Sequence, residues 1–230
     1  LVMPLGAEDR QLADRFAGIA ALGVLGSAPL LRRKATAVHS ISSYVQEIMR
    51  RDFLDGHAAI PEHVIPDAIS QIPSSPGEDG QTQLARLPSE PFLLFIGAFR
   101  RVKGIDELLA AYRLLDGPPP LVLIGTMEPD SPTTFPPGVH VLTDVPHEAV
   151  LAACRRCLFG VMPSTWPEPF GTVVCEVMSR GRPVIGTKPG GHTDLIIDDE
   201  TGYLVPAGDV SALADAMRTL IEDDEKRERF

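Results

Sequence analysis

Two carboxylates, Glu168 and Glu176, bracket the start of a predicted helix and have the spacing most suggestive of chemistry in this chain. Eight residues of ideal helix separate two side chains by roughly 12 Å along the axis and rotate them by about 80°. At that separation, Glu168 and Glu176 are not expected to act on one atom as a paired acid and base. They can instead hold the two ends of one long ligand.

Between the two carboxylates, Phe170, Gly171 and Thr172 begin the helix. The first backbone N–H groups of a helix have no partner within it and favour an anion. Gly171 has no side chain to keep a phosphate away. The order of carboxylate, anion-binding turn and carboxylate suits a ligand with hydroxyl groups at both ends and phosphate in the middle. A sugar nucleotide fits this description.

A basic loop, Gly97–Gly104, follows a predicted strand and precedes a predicted helix. Its cations are Arg100, Arg101 and Lys103. Cations between a strand end and a helix start can neutralise a phosphate. A solvated surface loop can have the same composition, but the place of this loop at a strand end favours the phosphate-binding interpretation.

The elements that must position these residues alternate between short apolar runs and helical patterns. The predicted strands are Phe92–Ile96, Leu121–Ile124, Val139–Leu142, Leu158–Met162, Val184–Thr187 and Tyr203–Val205. The predicted helices are Ile105–Leu115, His147–Cys157, Phe170–Ser179 and Ser211–Ile221. Apolar strands without alternation indicate a parallel sheet that is covered on both faces. We therefore predict an α/β, Rossmann-like, doubly wound parallel sheet with ligands at the carboxyl ends of its strands.

The segment Glu168–Gly171 followed by Glu176 resembles the Glu-x7-Glu motif of the group 1 (family 4) retaining glycosyltransferases, which have the GT-B fold. The resemblance implies that Glu168 is the catalytic residue that faces the donor sugar. It also implies that the residues after Gly171, beginning with Thr172, offer backbone amides to the donor diphosphate, and that Glu176 binds the ribose hydroxyls.

The basic loop is similar to the loop with which the family grips the donor diphosphate. Gly97 and Lys103 match the family pattern, and Lys103 is expected to stabilise the leaving diphosphate electrostatically. Ala98 stands where the family has an arginine. We expect Arg100 or Arg101 to supply the missing charge.

A Gly-rich loop and the order of the segments extend the resemblance over roughly residues 35–223. Gly190–Gly191 matches the family's Gly-Gly loop, with Thr193 and Asp194 at its Pro and Glu positions. The resemblance implies that residues 1–71 are a remnant of the N-terminal, acceptor-side domain. It implies an interdomain linker at 72–91, a stretch rich in Pro, Gly and Ser, and a nucleotide-sugar donor-binding domain at 92–230.

The implied function is that of a glycosyltransferase fragment of the hexosyltransferase type, with little activity alone. The whole protein would transfer a sugar from a UDP- or GDP-linked donor to a sugar, lipid or other acceptor, with retention and without cofactor or metal. Base contacts are expected near Met127 and Asp144–Pro146, where nothing separates uridine from guanosine. A GT-B sugar-nucleotide epimerase, a non-catalytic nucleotide-binding module and a structural domain remain alternatives.

Charge and cysteine content narrow the classes of protein further. The formal net charge is −10 and no block is basic, so we expect no nucleic-acid partner. Three cysteines fit a reducing compartment, and we predict a cytoplasmic protein. Cys154 and Cys157 have C-x-x-C spacing within a predicted helix and are expected to serve packing.

The histidines and one uncharged stretch suggest little chemistry. The six histidines have no metal-ligand spacing, and His147 is expected to cap or line the start of its helix. His192 is the one histidine expected near the pocket, where we interpret it as a polar loop residue. Phe16–Leu31 lacks charge but is shorter than the about 18–20 residues of a membrane span. We interpret it as a buried helix. The basic residues at 32–34 that follow leave peripheral membrane contact of the full protein open.

Overall fold

The computed structural model describes residues 34–54, 60–67 and 76–230. Phe16–Leu31 therefore lies outside the described residues. The chain divides into two compact units, and the second consists of Ile41–Val45 and Ile65–Phe230. Within the described residues, no helix is both long enough and apolar enough to cross a membrane.

The first unit contains a small parallel sheet. Its strands are β1, Val38–Ser40, and β2, Glu62–Val64, with Val38 opposite Glu62. Helix α1, Ser43–Ile48, has its first three residues in the second unit and the rest in the first. It begins after Ser42, whose Oγ accepts a hydrogen bond from the backbone N–H of Val45 at 3.1 Å. Serine is a preferred residue at the N-cap of a helix, because its hydroxyl can accept a hydrogen bond from a backbone N–H of the first turn.

The second unit is built on a six-stranded sheet in which every neighbouring pair is parallel. Its strands are β3 Leu93–Ile96, β4 Leu121–Gly125, β5 Val139–Thr143, β6 Phe159–Met162, β7 Val184–Lys188 and β8 Gly202–Pro206. The order across the sheet is β5-β4-β3-β6-β7-β8. The chain thus builds the sheet outward from β3 in one direction and then returns to build outward from β6 in the other.

The described residues of this unit also form six helices. They are α2 Glu78–Leu84, α3 Ile105–Arg113, α4 His147–Arg156, α5 Thr172–Met178, α6 Val210–Glu222 and α7 Asp224–Arg229. The predicted doubly wound parallel sheet is confirmed, with small shifts at the ends of the predicted elements.

The core lies on both faces of the sheet. Leu93 and Phe95 of β3 pack in one cluster with residues of α3 and α6, and Leu94 packs in the other with residues of α4 and α5. All three side chains are buried, which explains why β3 reads as an unbroken apolar run rather than an alternating one. Burial on both faces is consistent with the place of β3 at the centre of the sheet, beside β6.

The predicted linker at 72–91 contains a helix that the sequence analysis missed. Helix α2 packs against α4, and Leu87 just beyond it is buried. The guanidinium of Arg156 donates to the backbone carbonyl of Pro88 at 2.8 Å. The Pro, Gly and Ser residues of this stretch suggested a coil, but Gly80 is buried within a short helix that tertiary contacts hold in place. The three segment boundaries stay a prediction.

The two loops that meet at the centre of the sheet follow β3 and β6, where the strand order reverses. Gly104 ends the first loop with a φ of 73°. A Cβ at this position would lie 1.9 Å from the backbone oxygen of Pro163, which follows β6. Only glycine lets the loops approach this closely, and their approach forms the wall of a cavity.

Candidate functional site

A cavity of about 320 Å³ opens at the carboxyl ends of β3 and β6. This is the topological switch point, where a doubly wound sheet offers a crevice to ligands. Six predicted site residues line it, and they are Gly97, Lys103, Glu168, Phe170, Gly171 and Thr172. The structure therefore brings together residues of the basic loop and of the turn that precedes α5.

Glu168 is held by two hydrogen-bond donors in the wall of this cavity. Its Oε1 accepts from Nζ of Lys103 at 2.7 Å and from Oγ of Ser164 at 2.5 Å. The backbone oxygen of Ser164 in turn accepts from Oγ1 of Thr187 on β7 at 2.8 Å. The carboxylate is therefore anchored to three elements of the sheet edge, and its side chain is only 14% exposed.

Glu176 lies on α5 and has a different partner. It is 8% exposed, and its Oε1 lies 2.7 Å from Nε2 of His147, the first residue of α4. The imidazole is half exposed. The two carboxylates are thus held separately, Glu168 by a lysine and a serine and Glu176 by a histidine. His147 lines its helix start as expected, but the link to Glu176 was not predicted.

His192 lies in the cavity wall, as expected from its place near the pocket, but it is buried, which its interpretation as a polar loop residue did not predict. It lies in the 3₁₀ turn Gly191–Asp194, after the Gly-Gly loop. Its Nδ1 accepts a hydrogen bond from the backbone N–H of Thr187 at 3.2 Å. Burial lowers the pKa of His192; Glu168 opposes this shift and Lys103 adds to it. A neutral imidazole is therefore expected near neutral pH.

Position 171 requires glycine, partly because the His192 imidazole lies against it. The φ of Gly171 is 116°, and a Cβ built on it would lie 2.7 Å from Cδ2 of His192. A side chain at this position would be strained by the backbone and would collide with the imidazole. The turn that was predicted to approach a phosphate is therefore packed directly on His192.

Arg100 and Arg101 do not line the cavity. Their side chains are 52% and 77% exposed. Arg100 pairs with Asp130, and Arg101 pairs with Asp106, each at 3.4 Å. Lys103 alone is turned inward from the basic loop, because the 3₁₀ turn Arg101–Lys103 points successive side chains in different directions.

A second cavity of about 310 Å³ adjoins the first and shares Ile96 and Gly97 with it. Asp144 and Val145 of the predicted base-binding loop line it, as does Ala98. Asp144 has a φ of 57°, a conformation that aspartate tolerates better than most residues. Met127 is half exposed and does not line this cavity.

An earlier segment of the chain, Ile41–Val45, supports the loops of the site from within the same unit. Ser42 Oγ donates to the backbone oxygen of Pro169 at 2.5 Å. The backbone N–H of Ser43 donates to the Asp194 carboxylate at 2.6 Å, and the Ser43 hydroxyl donates to the same carboxylate. This segment therefore fixes the residue next to Glu168 and the residue at the end of the 3₁₀ turn.

The sequence analysis missed Ser164 and the roles of His147 and His192. Ser164 follows Pro163, the first residue after β6, and His192 directly follows Gly190–Gly191 in the loop after β7, so their places in loops that follow strands were usable signals. Across residues 34–54, 60–67 and 76–230, no group of three or more His, Cys, Asp or Glu could hold a metal ion. Cys154 and Cys157 are free and buried, which confirms their packing role.

A protein-family model and two curated relatives that match this chain are all glycosyltransferases. The family model described as glycosyl transferases group 1 matches residues 79–230. A phosphatidyl-myo-inositol mannosyltransferase of Mycobacterium leprae is 31% identical over 177 residues, which are 71% of this chain and 47% of that protein. A D-inositol 3-phosphate glycosyltransferase of Corynebacterium aurimucosum is 27% identical over 77% of this chain and 47% of that protein.

Solved structures with the same fold extend beyond this chain as well. Sucrose-phosphate synthase of Thermosynechococcus elongatus superposes with a TM-score of 0.69 at 30% identity, covering 84% of this chain and 51% of that one. The Anabaena protein HepE, solved in complex with UDP-glucose, superposes with a TM-score of 0.67 at 24% identity, covering 85% of this chain and 56% of that one. The chain spans about half the length of the curated relatives it matches.

Proposed function

The chain belongs to the group 1 glycosyltransferases, and from this membership we propose that its two adjoining cavities bind a nucleotide-diphosphate sugar. We propose that the whole protein transfers the sugar of this donor to an acceptor. One observation carries the proposal: Lys103 and Glu168 follow different strands, yet meet at 2.7 Å in the cavity at the switch point. The GT-B neighbour HepE, which binds UDP-glucose, supports this donor class.

The geometry suggests how the donor would lie. The diphosphate would contact Lys103 and the backbone of Phe170–Thr172, and the sugar would lie against Glu168. A diphosphate competes with Glu168 for the same ammonium group, so donor binding would redirect Nζ of Lys103. Lys103 would then stabilise the charge that develops on the leaving diphosphate.

The nucleoside would occupy the region of the second cavity. Glu176 would accept hydrogen bonds from the ribose hydroxyls while His147 keeps its carboxylate in place. Asp144 and Val145 would contact the base. Because the two cavities share Ile96 and Gly97, one extended ligand can fill both.

Three finer features belong to this proposal. We propose retention of configuration and a hexosyl donor from the resemblance of Glu168–Gly171 and Glu176 to the motif of the retaining family. Because Oε1 of Glu168 already accepts two hydrogen bonds, we propose a front-face attack by the acceptor rather than a covalent intermediate on this carboxylate. We propose that the reaction needs no metal, which is tested by unchanged turnover in the presence of a chelator. We propose a cytoplasmic site of action, since nucleotide sugars are the substrates, and an acceptor that is a sugar, a lipid or another molecule.

Calorimetric titration of this chain with UDP and GDP tests the donor site. We expect one nucleotide to bind, and binding to weaken at least tenfold in Lys103→Ala and in Glu176→Ala. Arg101→Ala is the matched control, since that side chain is exposed outside the cavity and should leave affinity unchanged. Equal affinity of all four proteins would place the site elsewhere.

The transfer itself is tested on the full-length protein with UDP- and GDP-linked hexoses. The anomeric configuration of the product, read by proton NMR coupling constants, distinguishes retention from inversion. Glu168→Gln should reduce turnover far more than it weakens nucleotide binding, because it changes the group that faces the sugar. An inverted product would refute the retaining mechanism and leave the donor site untouched.

A further inference from the structure

His192 carries a polar group with no assigned use. The side chain is 3% exposed, and its Nδ1 accepts the backbone N–H of Thr187 at 3.2 Å. A backbone amide can only donate, so Nδ1 carries no proton, and the proton of the neutral imidazole lies on Nε2. The ring is therefore fixed in one tautomer, with a donor on the side away from Thr187.

That donor faces the cavity. Nε2 lies 3.1 Å from the position that a Cβ on Gly171 would occupy, so it is directed at the turn Phe170–Thr172. Within the described parts of the chain, Nε2 has no protein hydrogen-bond partner. Nε2 is open to the cavity rather than sealed within the protein, so a ligand atom in the cavity can accept its hydrogen bond.

The cavity has little positive charge with which to bind a diphosphate. Among its described lining residues Lys103 is the one cation, and Glu168 already engages it. Arg100 and Arg101 are paired with aspartates outside the cavity. A diphosphate bound here therefore needs hydrogen-bond donors beyond Lys103.

We propose that the Nε2–H group of His192 donates a hydrogen bond to a phosphate oxygen of the bound nucleotide diphosphate. This assignment rests on the proposed function of the site. It adds a neutral donor to the backbone amides and Lys103, and it couples the phosphate to β7 through Thr187. Gly171 then has a second purpose, since a side chain there would stand between the imidazole and the ligand.

A purely structural role is the competing explanation, because His192 also fills the space beneath Gly171 and holds the N–H of Thr187. Two variants separate the roles. In His192→Asn, the amide oxygen can still accept from Thr187, but the side chain is too short to reach the ligand. In His192→Gln, the amide nitrogen reaches about as far as Nε2 and can still donate.

We expect His192→Asn to bind UDP or GDP about 10- to 100-fold more weakly than the wild type, the usual effect of losing a hydrogen bond to a charged acceptor. His192→Gln should recover part of that loss. Binding of the nucleoside without phosphate should be the same in all three proteins. Wild-type nucleotide affinity in His192→Asn, or an equal loss for nucleotide and nucleoside, would overturn the assignment.

The wild-type protein provides a second test that does not depend on a variant that folds. In ¹⁵N-labelled protein, saturation with the nucleotide should shift the His192 Nε2–H resonance and slow its exchange with water. An unchanged resonance at saturation would overturn the assignment. If neither UDP nor GDP binds the wild type, the proposed donor site fails and the assignment fails with it; if Lys103→Ala alone weakens binding, only the role of His192 is refuted.

Discussion

Replacing Gly104 by alanine should displace the basic loop from the end of β6. The new Cβ would lie 1.9 Å from the backbone oxygen of Pro163, whereas real contacts of this kind essentially never fall below 3.0 Å. The loop must therefore move by at least the difference, 1.1 Å. Because Lys103 is the preceding residue, its 2.7 Å hydrogen bond to Glu168 cannot survive such a movement unchanged.

The expected loss of stability has two parts. A left-handed backbone at an alanine costs about 1–2 kcal/mol. Forcing an extra carbon into a packed contact costs about 1–3 kcal/mol. Gly104→Ala should therefore lower the free energy of unfolding by about 2–5 kcal/mol.

Gly181→Ala isolates the first part. Gly181 has a φ of 71°, close to the 73° of Gly104, but nothing lies within 4 Å of a Cβ built on it. It should lose only the backbone part, about 1–2 kcal/mol. Both variants lose the same flexibility of glycine in the unfolded chain, so this contribution cancels between them.

Urea unfolding followed by circular dichroism measures the stabilities, and calorimetric titration with UDP and GDP measures the site. Gly104→Ala should also bind nucleotide about 10- to 100-fold more weakly, because displacing Lys103 weakens a hydrogen bond from a cation to the phosphate. Gly181→Ala should bind as the wild type does. Equal destabilisation of the two variants, with equal nucleotide affinity, would refute the argument that the close approach of the loops builds the site.

Three further predictions concern the buried Glu176 carboxylate, two buried cysteines and the buried His192. His147→Ala leaves the Glu176 carboxylate without its histidine partner and should weaken nucleotide binding about tenfold by calorimetry, while His147→Gln keeps a donor and should weaken it less. Burial raises the pKa of Cys154 to about 12 and raises the pKa of Cys157 as well, so a thiol reagent at pH 8 should label these two cysteines only after unfolding. Because Cys175 is half-buried, the label must be located by peptide mass spectrometry, and rapid labelling of Cys154 or Cys157 in the native chain would contradict this expectation. Burial lowers the pKa of His192 below its ordinary 6.5, so the neutral imidazole contributes to stability above pH 6.5, and this contribution is lost as the pH falls. Between pH 7 and 5 the free energy of unfolding should therefore decline less steeply in His192→Asn than in the wild type. Parallel declines in the two proteins would contradict this contribution of His192.

The sheet could be predicted because its four inner strands, β3, β4, β6 and β7, are buried on both faces. The apolar runs at Phe92–Ile96 and Leu121–Ile124 leave no polar face to water, which is the sequence signature of a central parallel strand. Helix α2 was missed because only seven residues are helical between breakers, and its stability comes from packing against α4.

The site residues that follow strand ends could be predicted from the sequence. The side-chain pairs between segments that are distant along the chain could not. Glu168, Lys103 and the turn at Gly171 follow strand ends, and parallel strands bring such loops to one edge. Nothing in the sequence indicates that Asp130 would draw Arg100 away, or that His147 would reach Glu176 from another helix. These pairings depend on side-chain directions that only the folded chain defines.

The short segment Ile41–Val45 affects how this protein can be cut and recombined. The family match begins at residue 79, so a truncated chain or a chimera joined there would discard Ser42 and Ser43. The Pro169 carbonyl and the Asp194 carboxylate, on either side of the site, would then lose their partners. A graft that joins residues 79–230 to the N-terminal part of a relative must therefore carry residues 41–45 as well, because the unit that can be transplanted is discontinuous along the chain.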